Sequence, residues 1–314
     1  MPVLSRWMES AALRAGNAVN GVEPRRVRGG KEMSNTSRSA TLGLLAVIAL
    51  ATTASAAGKK EFRYTVTRGA TMSVVNDYGS VRLRASVVNQ VLVSATPGSS
   101  KVEVDAAQNG NRVAVRTRFL QKTGESDGRV EYDLQVPADA NVMIRTASGP
   151  VQVQGVGGDV SVDVDTGQVE VRDGNGHVRV RTVAGPITLS NLNGGFVEAT
   201  SVGGSVMLNH VVGRVVSVST TGGAIAYSGD FGGGGQYSLT THSGNIDVSL
   251  SPSASVDVTA RTVAGTVEND FPLQAPVHPI MALNQGKSFA GTSNAGASAV
   301  RLRTFSGRIR VKKQ

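Results

Sequence analysis

Between residue 146 and the C-terminus a glycine followed by a short alternating apolar stretch recurs eight times, at Gly149, Gly167, Gly185, Gly204, Gly223, Gly244, Gly265 and Gly307. The first six intervals are 18, 18, 19, 19, 21 and 21 residues, and the last, 42, is two such steps with one degenerate rung. Self-similarity at a short fixed period marks stacked, near-identical units that bury a continuous core only together. A weaker series, Gly158, Gly176, Gly195, Gly213 and Gly235, with a degenerate start near Ser255, halves each interval. The half-unit of about nine or ten residues is the length of one short strand and a tight turn.

After each glycine the order is variable, apolar, variable, apolar: Val151 and Val153, Val160 and Val162, Val169 and Val171, Val178 and Val180, Ile187 and Leu189, Val206 and Leu208, Ile225 and Tyr227, Ile246 and Val248, Ile309 and Val311. Successive strand side chains point to opposite faces, so these residues form one dry face and the variable ones meet water. The pattern predicts an all-β chain, a single-stranded β-solenoid like a parallel β-helix, with two short strands per 18–21-residue coil. A flat antiparallel meander with the same alternation is the rival. Three residues before the first-series glycines stand Thr146, Thr182, Thr220, Thr241, Thr262 and Thr304, with Val164 and Ser201 as exceptions. A β-branched residue ahead of a glycine suggests a strand end feeding a bend that needs positive φ. The plainer alternative is that threonine suits strands anywhere.

Residues 1–32 show no strand or helix period and read as a disordered upstream extension. Residues 33–56 read as a secretory signal: Met33, Arg38, an apolar run from Leu42 to Ala51, then Ala54-Ser55-Ala56 with cleavage near Ala56. That run is too short to span a bilayer as a mature helix. A cytoplasmic arm with a signal anchor, its charged end being Arg25, Arg26, Arg28 and Lys31, is the alternative. Without residues 1–56 the chain keeps 25 of 32 basic and 20 of 23 acidic residues, a surplus of only +5. Nucleic-acid binding asks for clustered charge and stacking aromatics, so it is set aside. With no cysteine, neither disulfides nor thiolate metal sites are available, and the stacked core must hold the fold.

Residues 57–146 are strand-rich but irregular, and Asn109-Gly110 between alternating stretches signals a hairpin. An antiparallel region capping the repeats of 147–314 is expected. Phe271 to Ala299, with Pro272, Pro276 and Pro279, is expected to protrude as a loop before a final coil. Arg308, Arg310, Lys312 and Lys313 on that coil would guard an open edge.

Acidic residues gather at Asp159, Asp163, Asp165, Glu170 and Asp173. Converging, they could hold a hard cation or cleave a polysaccharide. Alignment by glycine instead places Asp163 beside Arg181 and Arg179 beside Glu198 on adjacent rungs, a solvated ladder. The run Gly232-Gly233-Gly234-Gly235 lacks the Lys-Ser/Thr of a phosphate loop and opens no helix, so it reads as a flexible turn. His177, His210, His242 and His278 have no metal-ligand spacing. No catalytic, cofactor-binding or metal residue is assigned, and no cofactor is expected.

Tyr78-Gly79-Ser80-Val81, Ala147-Ser148-Gly149-Pro150-Val151, Val183-Ala184-Gly185-Pro186-Ile187, His242-Ser243-Gly244-Asn245-Ile246 and Thr304-Phe305-Ser306-Gly307-Arg308-Ile309 together resemble the bacterial putative-adhesin family of unknown function. Its members are exported β-repeat proteins marked by recurring Ser-Gly-x-Ile/Val strands, and the likeness covers most of 62–312. The resemblance implies a β-solenoid-like domain in the periplasm or at the cell surface, and it carries over no catalytic residues. The expected function is a non-enzymatic module contacting an envelope component or another protein chain. A carbohydrate-active enzyme on a parallel β-helix and an envelope sensor or scaffold are the alternatives.

Overall fold

The alternating apolar stretches form strands in which buried valines, isoleucines and leucines alternate with outward residues. The computed structural model describes residues 58–275 and 286–314, within the second of the two units into which the chain divides, Thr53–Gln314. The expected extension, the expected signal and residues 276–285 lie outside the described residues.

Nine strands precede the regular repeats or open them: β1 (Lys60–Thr65), β2 (Thr71–Tyr78), β3 (Val81–Ser86), β4 (Gln90–Pro97), β5 (Val102–Asn109), β6 (Arg112–Phe119), β7 (Val130–Pro137), β8 (Asn141–Ser148) and β9 (Val151–Gln154). A single helical turn, Glu125–Gly128, interrupts them. Then follow β10 (Val160–Thr166), β11 (Val169–Gly174), β12 (Val178–Ala184), β13 (Ile187–Ser201), β14 (Val206–Thr220), β15 (Ile225–Gly229), β16 (Gln236–Thr241) and β17 (Ile246–Leu250). The last are β18 (Val256–Thr262), β19 (Val267–Asn269), β20 (Ser288–Ser293), β21 (Ser298–Thr304) and β22 (Ile309–Lys313).

These strands pair in two columns, parallel through the middle. One column runs β6, β2, β8, β10, β12, the second half of β13, the second half of β14, β16, β21, β18. The other runs β7, β3, β9, β11, the first halves of β13 and β14, β15, β17, β22, β19. Partner residues are offset as the glycine intervals require: Val160 faces Val178 and Val142, Val178 faces Val197, and Val216 faces Tyr237. A parallel ladder in this register rules out the antiparallel meander for the repeats. In two rungs the short strands join, since β13 and β14 each run 15 residues through both columns.

Every apolar pair named above is buried, none more than 3% exposed. Each such side chain contributes roughly 1.5–3 kcal/mol by leaving water. Where the interval lengthens to 21 residues, the extra chain at 230–235 tucks Phe231 against Tyr227 (centroids 4.3 Å) and Tyr237 (4.6 Å). The Gly232–Gly235 run is the turn at this bend, and Ser298 Oγ donates to the Gly232 carbonyl at 2.8 Å.

The first-series glycines form a ladder of close backbone approaches. A Cβ on Gly167 would lie 2.2 Å from the Gly149 carbonyl oxygen, and one on Gly204 1.7 Å from that of Gly185. Positive φ is confined to Gly79, Gly149, Gly167 and Gly185 within this ladder, so from Gly204 onward the crowding alone demands glycine. There the residue three places earlier takes part. Thr220, Thr241, Thr262 and Thr304 each accept the N–H of their own glycine at 3.0–3.1 Å, and each donates to the glycine carbonyl of the neighbouring rung at 3.0–3.2 Å. Ser201 accepts from Gly204 at 2.8 Å, the accepting half of the threonine role. In the second series Gly194, not the expected Gly195, stacks on Gly176.

Both ends depart from simple succession. The hairpin at Asn109-Gly110 is present as β5–β6, and β1, β4 and β7 are antiparallel neighbours, but β2 and β3 join the parallel columns. The rung β2/β3 therefore sits between β6/β7 and β8/β9. At the other end β21 and β22 slot between β16/β17 and β18/β19, so Gly307 rests on Gly244 and Gly265 on Gly307. The expected final coil is thus an interior rung, and its basic residues guard no open edge. Within the expected loop 271–299, residues 288–293 form β20, which folds back antiparallel on β18 and closes that column.

Asn76 occupies the threonine position of the first rung, beside Thr146. Its side-chain amide donates to the carbonyls of Tyr78 and Val130, and its oxygen accepts from Thr117 at 2.8 Å. Thr117 has one proton, so the Tyr132 hydroxyl donates to Thr117 Oγ1 across 2.9 Å. Burial pushes the Tyr132 phenol up to about 12 and raises Tyr227 further.

Gly223→Ala places a Cβ 1.9 Å from the Gly204 carbonyl oxygen, whereas Gly233 faces open space. Urea unfolding should show a loss on the order of 1–3 kcal/mol for Gly223→Ala, and Gly233→Ala should stay within about 0.5 kcal/mol of the parent. A free tyrosine ionises near 10, so the folded state holds the Tyr132 proton more tightly. The stability this gives is whole below about pH 10 and is lost as pH rises toward about 12. Urea midpoints measured across that window should fall, and Tyr132→Phe should fall less steeply while losing about 1 kcal/mol at neutral pH.

Candidate interaction surfaces

The outward residues of each column form a solvent face on which neighbouring rungs meet side chain to side chain. The acidic group singled out in the sequence is divided between these faces. Asp163 lies on β10 and Asp159 immediately before it, and Glu170 lies on β11 in the other column.

Each makes a contact with the next rung. Asp159 Oδ1 is 3.0 Å from His177 Nδ1 and accepts the His177 backbone N–H at 3.1 Å. Asp163 stands in register with Arg145 on one side and Arg181 on the other, and its carboxylate is 3.8 Å from the Arg145 guanidinium. Arg179 and Arg181 both reach Glu198, at 2.9 and 3.4 Å. Glu170 accepts from Gln152 and lies 3.6 Å from Arg172. The expected pairs Asp163 beside Arg181 and Arg179 beside Glu198 are in register, and only the second is also an ion pair. Asp165 stands exposed at the strand end.

Asp173 belongs to a different feature. It has φ 59°, as Asn191 and His210 have φ 53°, and the three occupy the same bend on successive rungs between Gly155 and Gly229. Asp, Asn and His are the side chains that best tolerate this left-handed backbone. Asn191 donates to Asp173 Oδ1 at 3.0 Å. The sequence signal was a residue able to take positive φ every 18–19 positions, hidden because each rung uses a different one. His242 stacks on Phe305 with centroids 4.9 Å apart, and His278 lies outside the described residues.

A shallow depression of about 350 Å³ opens on the first column, lined by Met143, Asp159, Ser161, His177, Arg179 and Phe196. On the second column Arg82, Arg84, Gln152, Gln154, Glu170 and Arg172 border one of about 290 Å³. Among the described residues, no group of three or more His, Asp or Glu is placed to hold a metal ion. Among them too, no helix is long and apolar enough to cross a membrane.

The family profile described as Toastrack DUF4097 matches residues 50–312. Among solved structures, a putative cell adhesion protein from Clostridium sporogenes aligns over 82% of this chain and 100% of its own, at 10% identity and a TM-score of 0.29. A putative adhesin from Bacteroides fragilis aligns over 82% of this chain and 97% of its own, at 11% identity and a TM-score of 0.41. No curated protein matches the chain.

Exposed ion pairs are worth under about 1 kcal/mol, so Arg179→Ala should shift stability by less than that. One residue further along β12, Val180 is fully buried. Val180→Asp should cost several kcal/mol, because it buries a charge without a partner. Chemical denaturation of the two variants side by side checks the assignment of faces, and equal tolerance would reverse it.

Proposed function

Because the chain belongs to the Toastrack DUF4097 family, we propose that it is an exported cell-envelope protein working as a non-enzymatic adhesive or structural interaction module. In this reading the paired columns are the two sides of one β-solenoid, with two strand segments per 18–21-residue coil. The observation that carries the reading is the use made of the acidic side chains. Asp159, Asp163, Glu170 and Glu198 each engage a side chain of an adjacent rung, so they bind the stack to itself.

A polysaccharide-cleaving enzyme needs two carboxylates converging on one bond. Here Asp163 and Glu170 lie on different columns, which favours the module over the enzyme. An envelope sensor or scaffold differs from the module only in having a dedicated partner chain. Export rests on the order of residues 33–56: a basic residue, an apolar run, then Ala54-Ser55-Ala56. The partner is an envelope component or another protein, met through the solvent faces of the columns.

Fractionation of cells making the full chain with a C-terminal tag tests the address. The tagged product is expected outside the cytoplasm, with an N-terminus at Ala57 by sequencing. A product retained in the cytoplasm and starting at Met1 would contradict export. Binding of that product to isolated envelopes, saturable and unaccompanied by release of sugar fragments, is the outcome expected of the module.

A further inference from the structure

The bends that follow the threonine column place one residue per rung at an exposed corner: Val183, Val202, Thr221, His242, Phe305 and Val263 in spatial order. Backbone hydrogen bonds join neighbouring tips, as from Phe305 N–H to the His242 carbonyl and from Val263 N–H to the Phe305 carbonyl. The apolar members are about half exposed: Val183 53%, Val202 51%, Phe305 48% and Val263 54%. The buried column beneath them is built of Thr182, Ser201, Thr304 and Thr262, and among the described residues only Phe305 has a ring partner along the ridge, one face of it lying against His242. A recurring apolar side chain at a convex corner, turned away from the core, is a surface feature in want of a partner.

Charge says which partner fits. Arg303 on β21 faces Arg261 on β18 in register, and Arg301 is the next outward residue on β21. All three are exposed, and among the described residues none has an ion-pair partner. Further along the same column Arg145, Arg179 and Arg181 each lie within 4.0 Å of a carboxylate. The acidic residue on β18, Asp257, sits two outward positions from Arg261 and accepts a hydrogen bond from Thr292. Phe305 follows Arg303 on the same side, so the unpaired guanidinium groups run directly into the apolar ridge. Arg308 is exposed just past the bend.

We propose that this corner, Phe305 and Val263 flanked by Arg261, Arg301 and Arg303, is a docking face for an anionic lipid bilayer. Half-exposed apolar side chains on a convex edge suit insertion among headgroups, and guanidinium forks suit the lipid phosphates beside them. The inference deepens the envelope reading but fails separately from it. Vesicle binding is measured on purified protein, whereas export is read by fractionation.

The chain has a single tryptophan, Trp7, which allows a site-specific reporter. In the full chain carrying Trp7→Phe, Phe305→Trp is titrated with vesicles of one-quarter phosphatidylglycerol in phosphatidylcholine. The control carries Trp7→Phe with Met207→Trp, at a position 48% exposed on the other column. The expected result is a blue-shifted emission from position 305 on the anionic vesicles, none on pure phosphatidylcholine, and none from position 207. Replacing Arg261, Arg301 and Arg303 by Gln should weaken partitioning by roughly fivefold per residue, and salt should weaken the parent. No shift at 305, an equal shift at 207, or indifference to the three arginines would overturn the proposal. So would displacement by inorganic phosphate at constant ionic strength, which would mark a pocket for a single anion, and a shift on neutral vesicles alone.

Discussion

The structure depends on how closely one rung's backbone can approach the next at the glycine corner. Strands in a parallel column are about 4.8 Å apart, and the bend between columns must keep that spacing while turning. A side chain at Gly185, Gly204 or Gly223 would fall within 2.1 Å of the neighbouring carbonyl oxygen, so the bend closes only around hydrogen. With the corners in contact, each strand's apolar residues fall over those of the strand before. The threonine hydroxyls then satisfy the glycine N–H and carbonyl groups that this crowding buries. Val164, lying in register between Thr146 and Thr182, interrupts that column, and these two hydroxyls are buried without a hydrogen-bond partner among the described residues.

A stack of this kind has two ends, and an open parallel edge invites another chain. The chain closes both ends by the same device, folding a later or earlier segment over its first and last regular rungs. β6 and β7 cover β2 and β3, and β18 and β19 cover β21 and β22. Beyond them β1, β5 and β20 pair antiparallel, and the covering strand β19 is only three residues long. The first and last strands of the repeats are thereby interior, which protects the parts of a repeat array that fray first.

Much of this architecture is legible in alternation and period alone. The two apolar residues after each glycine named the buried face, and the intervals of 18, 19 and 21 residues reappear as the offsets between paired strands. What a period does not carry is the order of rungs in space. Gly307 lies 42 residues after Gly265 in the chain yet between Gly244 and Gly265 in the stack. The sequence also cannot separate Gly194 from Gly195, because two adjacent glycines offer the same freedom and only the neighbouring carbonyl chooses. At the surface, charge pairs such as Arg179 with Glu198 followed from register alone. The bend column Gly155, Asp173, Asn191, His210 and Gly229 did not, since what its members share is a backbone angle rather than a residue type.

Native-state hydrogen exchange reads the ladder most directly, because amide protection follows the free energy of opening each rung. If β21 and β22 are clamped between two rungs, the amides of Val300, Leu302, Ile309 and Val311 should exchange as slowly as those of Val216, Val218, Ile246 and Val248. They should also exchange more slowly than those of Val256 to Thr262. Fast exchange confined to residues 298–313, with 256–269 well protected, would mean that the last segment ends the stack in chain order and that the glycine corners do not set the register.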